Sequence, residues 1–447
     1  MITINTPIRF NDDLPDEVDV VIIGGGVNGV FAALNMIRKG LKVVVLEKGR
    51  IAGEQSSRNW GWIRQHGRDP AELPIMMEAS RLWEDIDKEV KGRTGFKRQG
   101  VLYLSQTEAA QEKREAWITT AKAHGLNTVA VSKNNLSKYI QRDVTTQDFW
   151  VGGVHTASDA KAEPWQAIPA VAELTHSEGA IIRENCAVRA LDIQADQIRA
   201  VVTEAGIVKT SQVVLAGGAW SSLFLRRHGI NIPQLSVRAS VAKTAPIAEI
   251  ATKNSADQGL AFRRRSDGGY TLALTDFEEH FIGPDSFRFL PKWLKTGFQS
   301  RHELKLCMSQ LKNSPDAWNI NRRWFGNEVS PFERMRVLDP APTPGKTKLM
   351  QQRFAQRFPQ VGEPIILDAW AGMIDAMPDM VPIVDRATTL EGLIIATGMS
   401  GHGFGIGPAY GKIIAQIASG EKSEHDLNRF RFSRFSDGSR LDIGPSI

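Results

Sequence analysis

The chain of 447 residues exceeds what one hydrophobic core usually serves, so it predicts two domains or one elaborated domain. Its net charge of +5 is small for this length and its basic residues are scattered, which argues against nucleic-acid binding. The two cysteines, Cys186 and Cys307, match no metal or redox spacing, and neither a membrane-spanning run nor a secretory signal is evident. These features predict a cytoplasmic protein without a metal site.

The first informative element is a glycine-rich turn near the N-terminus, in the sequence VDVVIIGGGVNG. An apolar strand enters this turn and a helix leaves it. Gly24 allows the tight bend, Gly26 lets the backbone approach a pyrophosphate, and Gly29 lets the helix lie close to the strand. The next strand ends at Glu47, at the spacing where a carboxylate binds ribose hydroxyls. This order predicts an adenine dinucleotide; the alternative is a plain glycine-rich turn in an α/β protein.

Helices and strands then alternate along the chain. Apolar spacing predicts helices over 73–91, 107–124 and 163–178, and strands over 180–182, 188–193, 198–203 and 212–216. The last of these strands enters a second glycine turn, Ala216-Gly217-Gly218, where we expect the backbone to meet the dinucleotide again.

The character of the sequence changes between about 230 and 350. Short alternating runs, over 236–243 and 270–274, are typical of an antiparallel sheet. Residues 357–420 then return to the earlier pattern, so the chain is expected to leave the nucleotide-binding domain and re-enter it. Within 276–335, the apolar patch Phe287–Leu294 suggests either a docking or membrane-surface stripe or ordinary core packing.

A third glycine turn follows a predicted strand over 393–397 and precedes a predicted helix over 409–418. A nicotinamide enzyme rarely needs a second helix N-terminus so late in the chain. A reduced flavin does, because its ring carries negative charge that free backbone N–H groups stabilise. The alternative is a glycine-rich loop with a structural role. No cysteine lies in this segment and His66 does not match a tethering position, so noncovalent FAD is expected.

Together these motifs resemble the D-amino-acid-oxidase-like flavoprotein superfamily. They comprise the first turn with Glu47, Ser56-Ser57-Arg58, Ala216-Gly-Gly-Ala-Trp-Ser221, Trp370-Ala-Gly with Pro378-Asp379, and Gly398-Met-Ser-Gly-His-Gly403. The segments 46–58, Phe262-Arg263 with Asp267-Gly268 and Tyr270, and 330–334 most resemble the bacterial L-amino acid deaminases. Those deaminases also carry an N-terminal membrane anchor, which this sequence lacks.

The resemblance implies an α/β fold in which an FAD-binding Rossmann-like domain of the glutathione-reductase type is interleaved with an antiparallel-sheet α+β substrate domain. The expected FAD-binding segments are 17–90, 155–228 and 357–425. The expected substrate-binding segments are 91–154 and 229–356, with 276–335 as the counterpart of a helical insertion. The residues expected to bind FAD are Gly24, Gly26, Val27, Asn28, Gly29, Glu47, Lys48, Gln55, Ser56, Ser57, Arg58, Val188, Ala216, Gly217, Trp220, Gly372, Gly401, His402, Gly403, Phe404 and Gly405.

The implied reaction is oxidation of an amino acid, with an L-amino acid favoured. Hydride would pass from the α-carbon to flavin N5, and water would hydrolyse the imine to a 2-oxo acid and ammonia, with oxygen or a quinone as electron acceptor. Arg263 falls on the substrate-carboxylate arginine of the deaminases, and Arg64 competes for that role. Trp370 is expected to line the pocket, or to be a core residue. Asp375 is expected to bias the enzyme toward basic or imino substrates, or to be an ordinary capping aspartate.

Three alternatives remain open from the sequence. The first is a sarcosine-, glycine- or D-amino-acid-type amine oxidase with the same flavin site. The second is the flavin subunit of an amine dehydrogenase complex, with peripheral membrane contact through the apolar patch. The third is a nucleotide sensor without activity. The partner expected in the first two cases is a small amino acid or amine, and the oligomeric state is left open.

Overall fold

Two large β-sheets organise the chain, and the computed structural model describes residues 1–141, 143–146, 148–308 and 311–444. The helices are α1 (Val27–Arg38), α2 (Gln55–Arg58), α3 (Leu73–Glu89), α4 (Glu108–Ala123), α5 (Pro164–Ser177), α6 (Ser221–Arg227), α7 (Pro284–Arg288), α8 (Leu290–Gln299), α9 (Pro331–Arg334), α10 (Lys346–Arg357) and α11 (Gly403–Ala418). The strands are β1 (Val20–Ile23), β2 (Val43–Leu46), β3 (Trp62–Ile63), β4 (Val101–Ser105), β5 (Thr128–Ser132), β6 (Gly152–Thr156), β7 (Ala160–Lys161), β8 (Ile181–Arg183), β9 (Val188–Gln194), β10 (Gln197–Thr203), β11 (Ile207–Lys209), β12 (Gln212–Leu215), β13 (Leu235–Thr244), β14 (Asn254–Ala256), β15 (Ala261–Arg264), β16 (Tyr270–Ala273), β17 (Glu278–Phe281), β18 (Leu304–Cys307), β19 (Ile366–Ala376), β20 (Ile383–Arg386) and β21 (Leu393–Thr397).

The six-stranded sheet has the order β20-β21-β12-β1-β2-β8. Its pairs are parallel except for β20, which runs antiparallel to β21 at the edge. The valines, isoleucines and leucines of its central strands are buried on both faces, as expected for a parallel sheet covered on both sides. Helices α1, α3, α5 and α11 pack on one face, and α6 with aromatic side chains packs on the other.

The ten-stranded sheet has the order β18-β17-β13-β16-β15-β14-β4-β6-β5, with β19 paired antiparallel to β13. One face packs on α10, where Phe262 contacts Phe354 and Phe358. The other face carries Trp370 and Tyr103 and packs against β3 of the first half of the chain. A small aromatic cluster therefore lies between the two halves of the molecule.

The predicted helices over 73–91, 107–124 and 163–178 are confirmed within one or two residues at each end. The last helix differs, because α11 begins at Gly403 and not at Ala409. The glycines there belong to the helix: a Cβ at Gly407 would lie 2.3 Å from Val27, and a Cβ at Gly411 would lie 2.5 Å from Phe31. The absence of side chains lets α11 pack closely against α1.

The chain crosses between the two sheets at positions that differ from the domain boundaries expected from the sequence. β19 spans Ile366–Ala376 and pairs with β13 in the ten-stranded sheet, although 357–425 was expected to be FAD-binding. The segment 276–335 is only partly helical, because it contains β17 and β18 as well as α7, α8 and α9. The chain therefore returns to the six-stranded sheet after Ala376.

Candidate active site

The first glycine turn is held by two contacts that exclude any side chain. Gly24 has φ +109°, and a Cβ there would lie 2.5 Å from the carbonyl oxygen of Ala216. A Cβ at Gly29 would lie 2.0 Å from the carbonyl oxygen of Gly24. β1, β12 and α1 therefore approach as closely as a dinucleotide-binding turn requires.

Glu47 ends β2 directly beside this turn. Its carboxylate accepts hydrogen bonds from the N–H groups of Gly25 (2.8 Å) and Gly49 (2.7 Å). Burial raises the pKa of the Glu47 carboxyl to about 7, although Lys48 and these N–H groups oppose the rise. The charge of Glu47 therefore changes near neutral pH, at the position where ribose hydroxyls would donate to it.

The second and third glycine turns are linked by a buried amide and a buried carboxylate. The Gln234 side-chain amide donates to the Gly218 carbonyl (3.2 Å) and to the Thr397 hydroxyl (3.0 Å), and its Nε2 lies 3.4 Å from Asp375 Oδ2. Asp375 Oδ2 accepts the N–H groups of Gly398 (2.8 Å) and Met399 (3.1 Å). Burial raises the pKa of the Asp375 carboxyl to about 6. Asp375 therefore holds the backbone of the third glycine turn in place through these hydrogen bonds.

One elongated cleft connects the three glycine turns and encloses roughly 1260 Å³, its open mouth included. The predicted residues that line it are Gly24, Gly26, Val27, Asn28, Glu47, Lys48, Gln55, Ser56, Val188, Ala216, Gly217, Trp220, Asp375, Gly401, Gly403 and Phe404. The predicted residues that do not line it are Gly29, Ser57, Arg58, Gly372, His402, Gly405, Arg64, Arg263 and Trp370. The structure thus brings together most of the expected cofactor-binding residues.

The lining of the cleft fits FAD in two respects. The N-termini of α1 and α11 line the cleft and offer partial positive charge to an anionic ligand, although the Ser56 hydroxyl already accepts the Val27 N–H (2.9 Å). In addition, Asn28 Oδ1 and Gln55 Oε1 are buried in the cleft wall and accept no hydrogen bond from the residues that the structure describes. Buried acceptors of this kind normally have a partner, which a bound ligand would supply.

Several predicted cofactor residues instead support the cleft from behind. The Arg58 guanidinium is buried and donates to the carbonyls of Gly53, Ala371 and Ile2, so it fastens α2 to β19. The His402 imidazole lies 3.1 Å from a Glu72 carboxylate oxygen, and burial together with Arg68 lowers the pKa of His402 to about 4. These side chains face away from the cleft.

Two lining residues come from a segment for which the sequence held no nucleotide signal. Phe332 packs edge-on against Trp220 at 5.8 Å, and both line the cleft. Arg336 also lines the cleft and bonds to the Glu204 carboxylate and the Lys48 carbonyl. The segment around α9 therefore lines one end of the cleft, although it lies far along the chain from the first glycine turn.

Other unpredicted lining residues flank motifs that the sequence did reveal. Thr397 and Met399 stand on either side of Gly398 in the third turn, and Asn59 follows the Ser56-Ser57-Arg58 loop. Met373 lies between two predicted residues of β19. Their positions beside the motifs were the available signal.

Arg263, expected to bind a substrate carboxylate, is placed elsewhere. Its side chain is 1% exposed, and its two terminal nitrogens each lie 3.0 Å from a carboxylate oxygen of Glu163. Its Nε donates to the Trp60 carbonyl (2.6 Å). Because Glu163 binds both terminal nitrogens of the guanidinium, Arg263 has no free pair of donors for a ligand carboxylate.

Arg64, the competing candidate, lies beside an aromatic cluster formed by Trp62, Tyr103 and Trp370. Its Nη1 donates to the Tyr103 hydroxyl (2.6 Å) and to the His66 carbonyl (3.0 Å). Neither its Nε nor its Nη2 donates a hydrogen bond to another residue that the structure describes. Arg64 is thus a cation in an aromatic setting with donors to spare.

This cluster adjoins the end of the cleft at the third glycine turn. A Cβ at Gly405 would lie 3.3 Å from the Trp62 carbonyl and from a Met76 methyl group, and Gly405 follows Phe404, which lines the cleft. The Trp370 indole donates to the Arg58 carbonyl (2.9 Å), which fixes its ring in the cluster. The aromatic cluster and the Arg64 guanidinium therefore lie next to the part of the cleft that the third glycine turn forms.

In the described ranges, no group of three or more His, Cys, Asp or Glu side chains is arranged so that it could hold a metal ion. Within the same ranges, no helix is both long enough and apolar enough to cross a membrane.

Comparisons with known proteins agree with this architecture. The structure of L-amino acid deaminase from Proteus myxofaciens, solved in complex with anthranilate, superimposes with a TM-score of 0.90 at 28% identity over 96% of each chain. Monomeric sarcosine oxidase of Bacillus sp. is 22% identical over 93% of this chain and 96% of that protein. Mitochondrial sarcosine dehydrogenase of Mus musculus is 23% identical over 60% of this chain. The match covers only 30% of the length of that protein.

A model of the FAD dependent oxidoreductase (DAO) family matches residues 19–417, almost the whole chain. This match confirms the predicted cofactor and superfamily, and the superposition confirms the predicted α/β fold class. The chain is an FAD-dependent oxidoreductase and belongs to the DAO family.

Proposed function

We propose that this protein catalyses the FAD-dependent oxidative deamination of an L-amino acid to a 2-oxo acid and ammonia. The observation that carries the proposal is Arg64, whose Nε and Nη2 donate to no described residue and which lies beside the aromatic cluster at the end of the cleft. The similarity to an L-amino acid deaminase over the whole chain supports the same reaction class.

Arg64 would bind the substrate carboxylate. A guanidinium with two unused nitrogens matches the two oxygens of a carboxylate, and a charge-assisted pair of this kind fixes orientation as well as position. The Tyr103 hydroxyl holds Nη1, which leaves less side-chain freedom to be lost when the substrate binds. The buried Asp159 carboxylate accepts the Gln65 N–H (2.6 Å) and so fixes the backbone beside Arg64.

The aromatic cluster would hold the reacting carbon and keep water away. Trp62, Tyr103 and Trp370 are all less than one-tenth exposed. Such surroundings disfavour a charged ammonium, so they favour the neutral amine from which oxidation proceeds. When bound, FAD supplies the two-electron oxidation.

Asp375 would position the third glycine turn and not select the substrate. Its Oδ2 is already engaged by the Gly398 and Met399 N–H groups. A substrate ammonium would have to compete with these buried donors. The structure therefore favours a supporting role over the predicted bias toward basic or imino substrates.

A second candidate function is oxidation of an N-methyl amino acid. The sequence matches to sarcosine dehydrogenase and sarcosine oxidase favour it. Arg64 would bind the carboxylate in the same way, since the two substrate classes differ only at nitrogen.

The two functions are separated by an anaerobic panel of L-, D- and N-methyl amino acids mixed with the purified holoenzyme. Loss of the visible flavin band with L-amino acids, and not with their D or N-methyl forms, supports oxidative deamination of an L-amino acid. Bleaching only by sarcosine and related amines supports the second candidate. A flavin that stays oxidised with every amino acid contradicts both.

A further inference from the structure

A second arginine lies beside the aromatic ring that Arg64 contacts. The guanidinium carbon of Arg114, in α4, lies 5.2 Å from the centroid of the Tyr103 ring. The guanidinium carbon of Arg64 lies 5.8 Å from the same centroid. Tyr103 belongs to the aromatic cluster next to the third glycine turn, so two cations flank one side chain of the candidate substrate site.

Arg114 has no carboxylate of its own. Its guanidinium forms neither a hydrogen bond nor an ion pair with the residues that the structure describes, although its Nε is buried. Asp257, a carboxylate whose charge acts on Arg114, is bound instead by the Arg357 guanidinium at 2.6 and 2.7 Å. A buried charged donor without an acceptor is costly, and a bound anion would remove that cost.

The side chains around Tyr103 add further donors to this pair of cations. The His66 imidazole stacks between the Tyr103 ring (4.6 Å) and the Trp117 ring (4.5 Å). Burial, Arg64 and Arg114 together hold the pKa of His66 well below its ordinary value, so this imidazole is neutral. The buried Trp117 indole N–H donates to no described residue. The surroundings of Tyr103 therefore offer unused donors that an anionic ligand can satisfy.

The two arginines approach Tyr103 from different parts of the fold. Arg64 directly follows β3, whose Trp62 carbonyl lies close to Gly405 beside the third glycine turn. Arg114 comes from α4, and no residue of α4 lines the cleft. Arg64 is thus placed for a carboxylate next to the reacting carbon, and Arg114 is placed for a group farther along the substrate.

We propose that the preferred substrate is an amino acid whose side chain ends in a second carboxylate, such as glutamate or aspartate, and that Arg114 binds this carboxylate. The inference rests on the proposed function, because it takes Arg64 as the partner of the α-carboxylate. A guanidinium and a carboxylate form a charge-assisted pair with defined orientation. A neutral side chain at the same place leaves the cation unpaired, so the site discriminates against it.

The first test compares L-glutamate with L-glutamine, which replaces the distal carboxylate by an uncharged amide. In steady-state kinetics of the FAD-loaded wild type, kcat/KM is expected to be at least about tenfold higher for glutamate. Arg114→Gln is expected to lose about tenfold to about a hundredfold in kcat/KM for glutamate and less than about threefold for glutamine.

Lys113→Gln is the matched control. Lys113 is the exposed neighbour of Arg114 on α4, so its replacement removes the same charge from the same helix. This variant is expected to keep the wild-type preference for glutamate. Both variants are expected to keep the FAD content and the thermal midpoint of the wild type.

Binding without turnover separates this inference from the proposed reaction. Glutarate carries two carboxylates and no amine, whereas pentanoate carries one carboxylate on the same five carbons. Titration of the flavin absorption band is expected to show that the wild type and Lys113→Gln bind glutarate at least about tenfold more tightly than pentanoate. Arg114→Gln is expected to bind the two acids equally. The wild-type comparison decides the matter even if Arg114→Gln does not fold.

Four results would overturn the inference. They are a wild type that uses glutamine as well as glutamate, a wild type that binds pentanoate as tightly as glutarate, equal losses for both substrates in Arg114→Gln, and equal losses in Lys113→Gln and Arg114→Gln. Turnover of neutral L-amino acids alone would contradict this inference and leave the proposed reaction intact. Tight glutarate binding without turnover of any amino acid would contradict the proposed reaction and leave the second carboxylate site intact.

Discussion

Replacing Asp375 separates the charge of its carboxylate from its hydrogen bonds. Asparagine keeps an acceptor oxygen for the Gly398 and Met399 N–H groups, whereas alanine removes it. The structure therefore predicts opposite consequences for Asp375→Asn and Asp375→Ala in the flavin-free protein.

The charge effect has a defined sign and size. Burial raises the pKa of Asp375 from 3.8 to about 6 in the folded protein, so folding favours the protonated form. The contribution of Asp375 to wild-type stability consequently falls as the pH rises from 3.8 through 6 and is level above that range. The full loss is roughly 3 kcal/mol, of which roughly 1.4 kcal/mol lies between about pH 5 and pH 8. Asp375→Asn lacks this titration, so its stability relative to the wild type should increase by that amount over this interval.

The hydrogen-bond effect appears in the comparison of the two variants. In Asp375→Ala, two buried backbone N–H groups lose their acceptor, and each orphaned group costs about 1–3 kcal/mol. Asp375→Ala should therefore be about 2–6 kcal/mol less stable than Asp375→Asn at every pH.

Urea denaturation of the flavin-free proteins, followed by tryptophan fluorescence at four pH values between about 5 and 8, measures both effects. A pH-independent difference between the wild type and Asp375→Asn would show that the carboxylate is solvated. Equal stability of Asp375→Asn and Asp375→Ala would show that the third glycine turn does not depend on residue 375. Either result would refute the assignment of Asp375 as a buried support.

The remaining predictions concern the cofactor and the substrate. Gly29→Ala should abolish FAD retention, because the new Cβ would lie 2.0 Å from a carbonyl oxygen. Gly297→Ala should retain FAD, because a Cβ at that position meets no heavy atom within 4 Å. Flavin absorbance after gel filtration distinguishes the two variants. FAD affinity, measured by fluorescence quenching, should weaken up to about tenfold for each pH unit below about 7 as Glu47 gains a proton, and Glu47→Gln should abolish this dependence. Arg64→Lys should raise the substrate KM about tenfold or more at unchanged FAD content, whereas Arg263→Lys should lower the thermal midpoint. Steady-state kinetics and thermal melts measure the two effects. A raised KM in Arg263→Lys together with a lowered thermal midpoint in Arg64→Lys would contradict the prediction.

Backbone chemistry made the cofactor site predictable. Gly24 and Gly29 are required by contacts between elements that are neighbours in the chain or in the sheet, and their spacing reflects this geometry. The start of α11 was less predictable, because glycine usually weakens a helix. At Gly407 and Gly411 the close approach of α1 outweighs that preference, and the sequence of α11 alone does not reveal its partner.

Side-chain partners distant in sequence were the part that could not be predicted. Glu163 stands 100 positions before Arg263 and carries no local mark of an ion pair. Phe332 and Arg336 reach the cleft because their segment folds back over Trp220, a contact set by tertiary packing. Sequence motifs identify residues that act through the backbone. The role of an arginine side chain depends on which carboxylate the fold places beside it.

The choice between the two arginines follows from this dependence. Glu163 binds Arg263 and Lys161, and these two cations lower the pKa of Glu163 to about 2 against the effect of burial. A substrate carboxylate could take Arg263 only by displacing Glu163, which would leave a buried charge with one partner fewer, and breaking such a pair costs about 3–5 kcal/mol. That exchange replaces one carboxylate by another and gains nothing to offset the cost. Arg64 requires no exchange, since its Nε and Nη2 donate no hydrogen bond to any described residue. We therefore propose that Arg263, which matches the deaminase motif, has a structural role and that Arg64 binds the substrate carboxylate.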